Sequence, residues 1–369
     1  MNNTKLTMQD YIGLTPNMIR KNVERNVELT KTLVEEFNKD SFDSILIIAC
    51  GSSYNASMSA RPFIRKIMNM NVSVISPYTF EHYEDSIIGN PFVVVVSQSG
   101  CSTNSISALK KLQAMNHRTI GITSNVNSDF GDGICDVVVD YGIGIETVGY
   151  VTLGMVGLVL FFMLFALNAA KGSMIDDEKY NYYLNELKKT ADAHESIQKN
   201  VKEFYEENKK NLLSMQNSYM VGMGPNFGTA LEGALKFGET IQIVSVAYEL
   251  EEFLHGPNFQ ITPNYTLFLV DNEDETSNHL IDVYEGYKTV TDRCYIISNN
   301  ERVSGSHVIR VENPTCSDVS TLYNVVVFEY LAYKVTTELN KWQYHPLATI
   351  VEKEIIKIKS DKYKEGQND

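Results

Sequence analysis

The chain has 369 residues, of which 43% are hydrophobic and 21% charged, and a formal net charge of −14. That length can bury a large core and points to two domains or two fused half-domains. The acidic balance argues against nucleic acid or an anionic membrane as a general partner, so an anionic ligand would have to be held by a local site.

The opening residues, Met1-Asn2-Asn3-Thr4-Lys5, have no apolar core and do not read as a signal peptide. Cys50, Cys101, Cys135, Cys294 and Cys316 form an odd set without a CxxC pair. Such a set fits reduced thiols in a cytoplasm better than a disulfide framework or a zinc site, and no metal or other cofactor is expected. In chain order the patterns divide into an N-terminal helical segment (1–40), an α/β domain (41–175), a helical linker (176–216), a second α/β domain (217–345) and a tail (346–369).

Thr15-Pro16, a good cap and first-turn pair, predicts a helix running to about Asn38. Strand-like runs follow at Ser44 to Ala49, Phe92 to Val96, Thr119 to Thr123 and Asp136 to Val139, separated by stretches of helical length. Alternation of this kind signals a doubly wound α/β layer. The run Val93-Val94-Val95-Val96 has no polar face, so that strand should be covered on both sides. It stops at Ser97-Gln98-Ser99-Gly100-Cys101-Ser102-Thr103-Asn104, and a helix should open near Ser105 to Leu112. A helix N-terminus lined with hydroxyls can receive an anion, although the turn alone fits equally a serine-capped βα connection with nothing bound.

Val148 to Leu167 is an uncharged run of 20 residues, long enough to span a bilayer. Gly149, Gly154 and Gly157 interrupt it and no basic cluster or aromatic belt flanks it, so a helix buried in the protein is the preferred reading and no membrane is expected. The polar stretch from Asp177 to Met215 carries Leu184, Leu187, Ala191, His194, Ile197, Val201 and Phe204 at 3- and 4-residue spacing, the stripe of an amphipathic helix.

A second set of strands follows at Ser218 to Val221, Thr266 to Val270, Cys294 to Ser298 and His307 to Val311. Gly51 matches Gly224, Tyr54 matches Phe227, Val96 matches Val270 and Ile122 matches Ile297, offsets of 173 to 175, which points to an internal duplication. The halves differ after their corresponding strands. Where the first has Ser97 to Ser102, the second has Asp271-Asn272-Glu273-Asp274-Glu275, whose carboxylates would repel a phosphate. An anion site is therefore expected in the first half alone, with chemistry in the second.

In the second half, Glu232, Lys236 and Glu239 fall at i, i+4 and i+7, on one helix face. Spacing alone favours a salt-bridged solvent face. The block Glu249-Leu250-Glu251-Glu252-Phe253-Leu254-His255-Gly256-Pro257 then sets His255 before a Gly-Pro pair, where a structural histidine is the default. The acidic trio Glu249, Glu251 and Glu252 could attract an ammonium group or form a solvated loop. The charged end, Lys353 to Asp369, reads as a helix fraying into a tail.

Taken together, strand-CGSS, strand-SQSGCS, GALKFGE and E-x-x-HGP, with 16 residues from Glu239 to His255, resemble the SIS (sugar isomerase) family over about residues 20 to 350. The similarity is to its double-domain type, found in the isomerase half of glucosamine-6-phosphate synthase and in bacterial deglycases of phosphorylated fructosamines. The resemblance implies two tandem SIS domains, each a parallel sheet flanked by helices in a flavodoxin-like three-layer sandwich. It further implies that Ser53, Ser97, Gln98, Ser99 and Ser102 bind a sugar 6-phosphate, with Ser52 and Thr103 nearby and Lys236 near the substrate. Glu239 would move a proton between C1 and C2, and His255 would open the sugar ring, reaching across the interface of a homodimer.

Two departures shape the expected reaction. The sequence shows no glutaminase domain to supply ammonia, so synthase activity is not expected. The synthase's imine-forming lysine falls in a segment like Pro346 to Glu352, where Thr349 takes its place, with Lys353 and Lys357 close by. Substrates that already carry an amine then become attractive. The expected activity is that of a hydrolase, a deglycase acting on a fructoselysine- or glucoselysine-6-phosphate type of adduct. An amino-sugar phosphate isomerase or deaminase, or a phosphosugar-binding regulator without catalysis, stands as the alternative.

Overall fold

The computed structural model describes residues 6–342 and 350–363. The chain divides into two compact units, Met1–Thr7 with Met18–Leu184 and Gln343–Asp369, and Met8–Asn17 with Asn185–Trp342. In the first half the elements run α1 (Met8–Glu24), α2 (Asn26–Phe37), β1 (Ser44–Ile48), α3 (Ser52–Met68), β2 (Asn71–Ile75), α4 (Pro77–His82) and β3 (Pro91–Val96). Then come α5 (Thr103–Ala114), β4 (Ile120–Thr123), β5 (Val137–Asp140), α6 (Leu153–Ala170) and α7 (Asp177–Leu213). The second half has β6 (Asn217–Gly222), α8 (Pro225–Lys236), β7 (Val244–Tyr248), α9 (Leu250–Leu254), β8 (Thr266–Val270), α10 (Ser277–Tyr287), β9 (Cys294–Ile297), β10 (Val308–Ile309) and α11 (Thr321–Glu338).

Each unit holds a five-stranded parallel sheet, in the orders β2-β1-β3-β4-β5 and β10-β9-β8-β6-β7. Read from the other edge, the second order repeats the first strand for strand, as a duplication requires. In both, the order reverses direction between the first and third strands, at β1/β3 and at β6/β8. Such a switch point opens a crevice beyond the carboxyl ends of the two strands.

The period of two along a strand accounts for the three layers. Phe92 of β3 meets the rings of Phe37 and Phe165 at centroid distances of 5.3 and 6.0 Å. Its neighbours Val93 and Val95 pack instead with Ile106, Leu109 and Leu112 of α5. The valine run is thus covered on both faces, and each such side chain contributes roughly 1.5–3 kcal/mol through burial. In the second unit Phe268 and Val270 join α7, α8 and α11 in one cluster, while Leu267 and Leu269 join Leu280, Ile281 and Tyr284 of α10 in another.

The 18-residue apolar window of α6 is 94% buried within the protein. Its length and composition would allow a membrane span, but its surface is taken up by protein, notably α2 and α3.

Three local expectations need correction. The first helix does not begin at Thr15-Pro16: it starts at Met8, and Pro16 lies inside it. Instead of capping, the Thr15 hydroxyl donates back to the Tyr11 carbonyl at 2.9 Å, an i−4 bond that belongs within a helix. Strands β2 and β7, absent from the sequence reading, form one edge of each sheet, and their half-exposed, polar-interrupted runs lack the apolar signal of the central strands. Both contain Val-Ser-Val, at 72–74 and 244–246, a repeat signal that would have revealed them. Finally, the described part of the tail is helical only over Ile350–Ile356, and Ile358 to Ser360 are extended against the loop after β3.

Candidate functional site

In the first unit, the loops after β1 and β3 leave the carboxyl ends of adjacent parallel strands, paired through Ile48 and Val95. Ser52 and Ser53 are buried in the first turn of α3, behind Gly51 with φ +60°. The loop Ser97 to Ser102 turns tightly: the Gly100 N–H donates to the Ser97 carbonyl at 3.0 Å, and Gly100 has φ +64°. A Cβ there would strike the Ser128 hydroxyl, so this position needs glycine on two counts. The Ser97 hydroxyl lies 3.2 Å from that of Ser102, which occupies the cap position of α5 without capping it. The Ser99 hydroxyl accepts from the Cys101 N–H at 3.3 Å. These hydroxyls collect at the positive end of α5, the arrangement an anion requires.

Gln98 is held on both sides. Its carbonyl accepts the hydroxyls of Thr123 and Ser124 at 2.9 and 3.0 Å, while its amide nitrogen donates to Glu146 Oε2 at 2.8 Å. Glu146 also accepts the backbone N–H groups of Thr152, Leu153 and Gly154 at 2.8 to 3.2 Å, so its carboxylate caps α6. Gly154 permits this approach, since a Cβ there would lie 2.5 Å from the Gln98 amide nitrogen. Sequence reading missed Glu146; a carboxylate just before an apolar helix was the available signal.

In the second unit the turn after β8 is filled by its own carboxylate. Asp271, almost fully buried, accepts from the hydroxyls of Ser277 and Ser298, both at 2.6 Å, and from the Glu273 N–H. That network occupies the place that serines occupy in the first unit.

Glu232, Lys236 and Glu239 do come together, but not on a solvent face. Glu232 and Lys236 have no exposed surface, and the Lys236 ammonium lies 3.3 Å from Glu232 and 2.7 Å from Glu239 Oε2. The cause is tertiary: α8 packs directly on α11, and a Cβ at Gly233 would lie 2.6 Å from the Phe328 ring. Lys236, expected near the substrate, is thereby placed inside the unit with its ammonium against Glu239. Burial works against its charge, but the two carboxylates prevail and hold it above the ordinary lysine value. Glu239 sits in a wide turn, Phe237–Ile241, that continues α8, and keeps 34% of its side chain exposed. Loss of hydration raises its carboxyl above the ordinary glutamate value, and the Lys236 charge opposes that rise.

His255 closes α9 and is exposed; its Nδ1 lies 2.8 Å from the Glu251 carbonyl. A carbonyl only accepts, so Nδ1 is the donor in this contact, which leaves Nε2 outside it. Two of the acidic trio have local duties: Glu249 caps α9 through the N–H groups of Glu251 and Glu252, and Glu251 lies 2.7 Å from His279. Thr349 lies outside the described residues, and Lys357 is exposed. All five cysteines are free, and among the described residues no group of histidine, cysteine or acidic side chains could hold a metal ion.

The model of the SIS domain matches residues 41–165 and 212–304, so the chain belongs to the SIS domain family. It is 25% identical over 323 residues to a glutamine–fructose-6-phosphate aminotransferase (isomerizing) of Caldanaerobacter subterraneus subsp. tengcongensis, covering 85% of this chain and 51% of the relative. The enzyme of the same name from Clostridium perfringens is 29% identical over 243 residues, covering 63% of this chain and 38% of the relative. The chain therefore spans about half the length of such relatives or less. Its fold matches the C-terminal domain of glucosamine-fructose-6-phosphate aminotransferase from Francisella tularensis with a TM-score of 0.79 at 22% identity, covering 90% of this chain and 97% of the other. It also matches glucosamine-6-phosphate deaminase from Thermotoga maritima with a TM-score of 0.69 at 19% identity, covering 90% and 94%.

Proposed function

We propose that this SIS-family chain is a deglycase that hydrolyses an amine or amino-acid adduct of a hexose 6-phosphate. The observation that carries the reading is the pairing of Glu239, a partly exposed carboxylate of raised pKa, with the wholly buried Lys236. Moving a proton between adjacent carbons needs one base that takes it and returns it, and such a base works best with a pKa shifted toward neutrality.

In this reading the hydroxyls of Ser52, Ser53, Ser97, Ser99, Ser102 and Thr103, with Gln98, hold the phosphate. His255 takes and returns the proton that opens the ring. For an adduct with nitrogen on C1 and a carbonyl at C2, Glu239 removes a C1 proton to give an enolamine and delivers a proton to C2. The product is a C1 imine, and water adds to it to release the amine and an aldose 6-phosphate. With nitrogen on C2 and the aldehyde at C1 the proton moves the opposite way, and the products are the amine and a ketose 6-phosphate. No oxidant, reductant or further group is consumed.

His255 is exposed with Nε2 available, which suits service to a second copy of the chain in a homodimer. The test is release of amine and hexose phosphate from fructoselysine 6-phosphate, glucoselysine 6-phosphate and glucosamine 6-phosphate. Turnover of either lysine adduct supports the deglycase, turnover of glucosamine 6-phosphate alone replaces it with a deaminase, and inertness to all three removes both.

A further inference from the structure

Within the first unit, the C-terminal segment crosses the loop that follows β3. Ser102 pairs antiparallel with Lys359, the Thr103 N–H donates to the Ile358 carbonyl at 3.1 Å, and the Ser360 N–H donates to the Cys101 carbonyl at 2.9 Å. Two side chains fasten it further: the Ser360 hydroxyl donates to Asp129 at 2.6 Å, and Lys362 pairs with Asp132.

This course brings the Lys359 ammonium to 2.9 Å from the Ser102 hydroxyl and 3.2 Å from that of Ser99. Several other lysines of this acidic chain pair with carboxylates, as Lys111 does with Asp85 and Lys362 with Asp132. Among the described residues no carboxylate forms an ion pair with Lys359; beyond the two hydroxyls its ammonium lies over the Tyr363 ring, 5.1 Å from the centroid. Loss of hydration holds this ammonium below the ordinary lysine value. Among the described residues, hydroxyls and a ring, rather than a carboxylate, meet this half-buried cation.

We propose that Lys359 is a phosphate ligand, carried by the C-terminal strand into the Ser97–Thr103 loop, where a phosphate ester binds between its ammonium and the serine hydroxyls. The inference rests on reading that loop as the phosphate site. The hydrogen-bond directions are compatible with it: each hydroxyl accepts from the lysine and keeps its own proton to donate to a phosphate oxygen. Residues 97 to 104 contain no cation, and the Thr103 N–H is already committed to Ile358. Lys359 supplies the positive charge that the loop lacks, in a charge-assisted bond roughly twice as strong as a neutral one.

The test is calorimetric titration of the full chain with inorganic phosphate and with glucose 6-phosphate, comparing wild type, Lys359→Met and Lys359→Arg. Losing one charged hydrogen bond should weaken Lys359→Met about 10- to 100-fold, and Lys359→Arg should recover most of the loss. Wild-type affinity should also fall as pH rises through the range where Lys359 deprotonates, and Lys359→Arg should not show that fall; this reading holds even if the methionine variant does not fold. Methionine and wild-type proteins that bind phosphate equally well overturn the proposal, as does a wild-type protein that binds neither anion. Failure of the deglycase reading is separate, since it is seen as absent amine release in a protein that still binds phosphate.

Discussion

Lys236 lies wholly inside the second unit and sets its ammonium 2.7 Å from Glu239 Oε2, while Glu239 keeps 34% of its side chain open. A fixed internal cation thus steadies a carboxylate that can still be reached from outside. Glu232, the second carboxylate on Lys236, has no exposure at all and balances the buried charge.

Glu239→Gln keeps the shape of the side chain and removes the base. Turnover should fall about 10²- to 10⁴-fold, the usual contribution of a general base, with glucose 6-phosphate affinity unchanged. Because the carboxyl titrates above the ordinary glutamate range, the acid limb of the wild-type pH–rate profile should lie above that range too. A variant with near-normal rates would remove Glu239 from the mechanism.

Lys236→Met should destabilise the protein by about 3–5 kcal/mol in denaturant titrations, because Glu232 is left buried with no cation. Adding Glu232→Gln should restore much of that stability. In the double variant Glu239 loses the charge that lowers its pKa, so the acid limb should move to higher pH. An additive pair of stability losses would show that the triad is not one unit.

Glu146→Ala should cost about 1–2 kcal/mol through loss of the α6 cap, read as a lower melting temperature. It should also weaken binding of inorganic phosphate severalfold, because Gln98 loses the partner that fixes its amide. Unchanged phosphate affinity in a destabilised variant would confine Glu146 to capping.

The Glu36 carboxylate, bonded to Arg118 at 2.6 Å, is held below the ordinary glutamate value chiefly by that guanidinium. A carboxyl lowered in the folded state contributes stability above its unfolded pKa, about 4.3, and loses it as pH falls through the lower folded value. Arg118→Ala should flatten this acid-side decline in melting temperature. An identical acid slope in the variant would show that the pair adds nothing.

If His255 serves a second copy of the chain, mixing inactive Glu239→Gln and His255→Ala proteins should restore about a quarter of wild-type activity, since random pairing leaves one intact site in half of the dimers. Two inactive proteins that stay inactive on mixing would place both groups in one copy.

Much of this molecule was legible along the chain. The duplication, the parallel α/β architecture, the doubly covered valine strand and the serine turn all follow from runs, periods and offsets that lie in consecutive residues. The edge strands β2 and β7 escaped because half-exposed strands carry little apolar signal, although their shared Val-Ser-Val marked them.

What the tertiary structure decided is the partner of each charge. Glu146 meets Gln98 across 48 residues, and Lys359 meets Ser102 across 257, pairings that no local pattern records. The spacing of Glu232, Lys236 and Glu239 showed that they share a helix face; only the packing of α8 on α11 shows that two of them are buried. Periodicity tells which residues point the same way, and the folded chain determines what covers them, and so whether a charged row is a wet surface or an internal ion network.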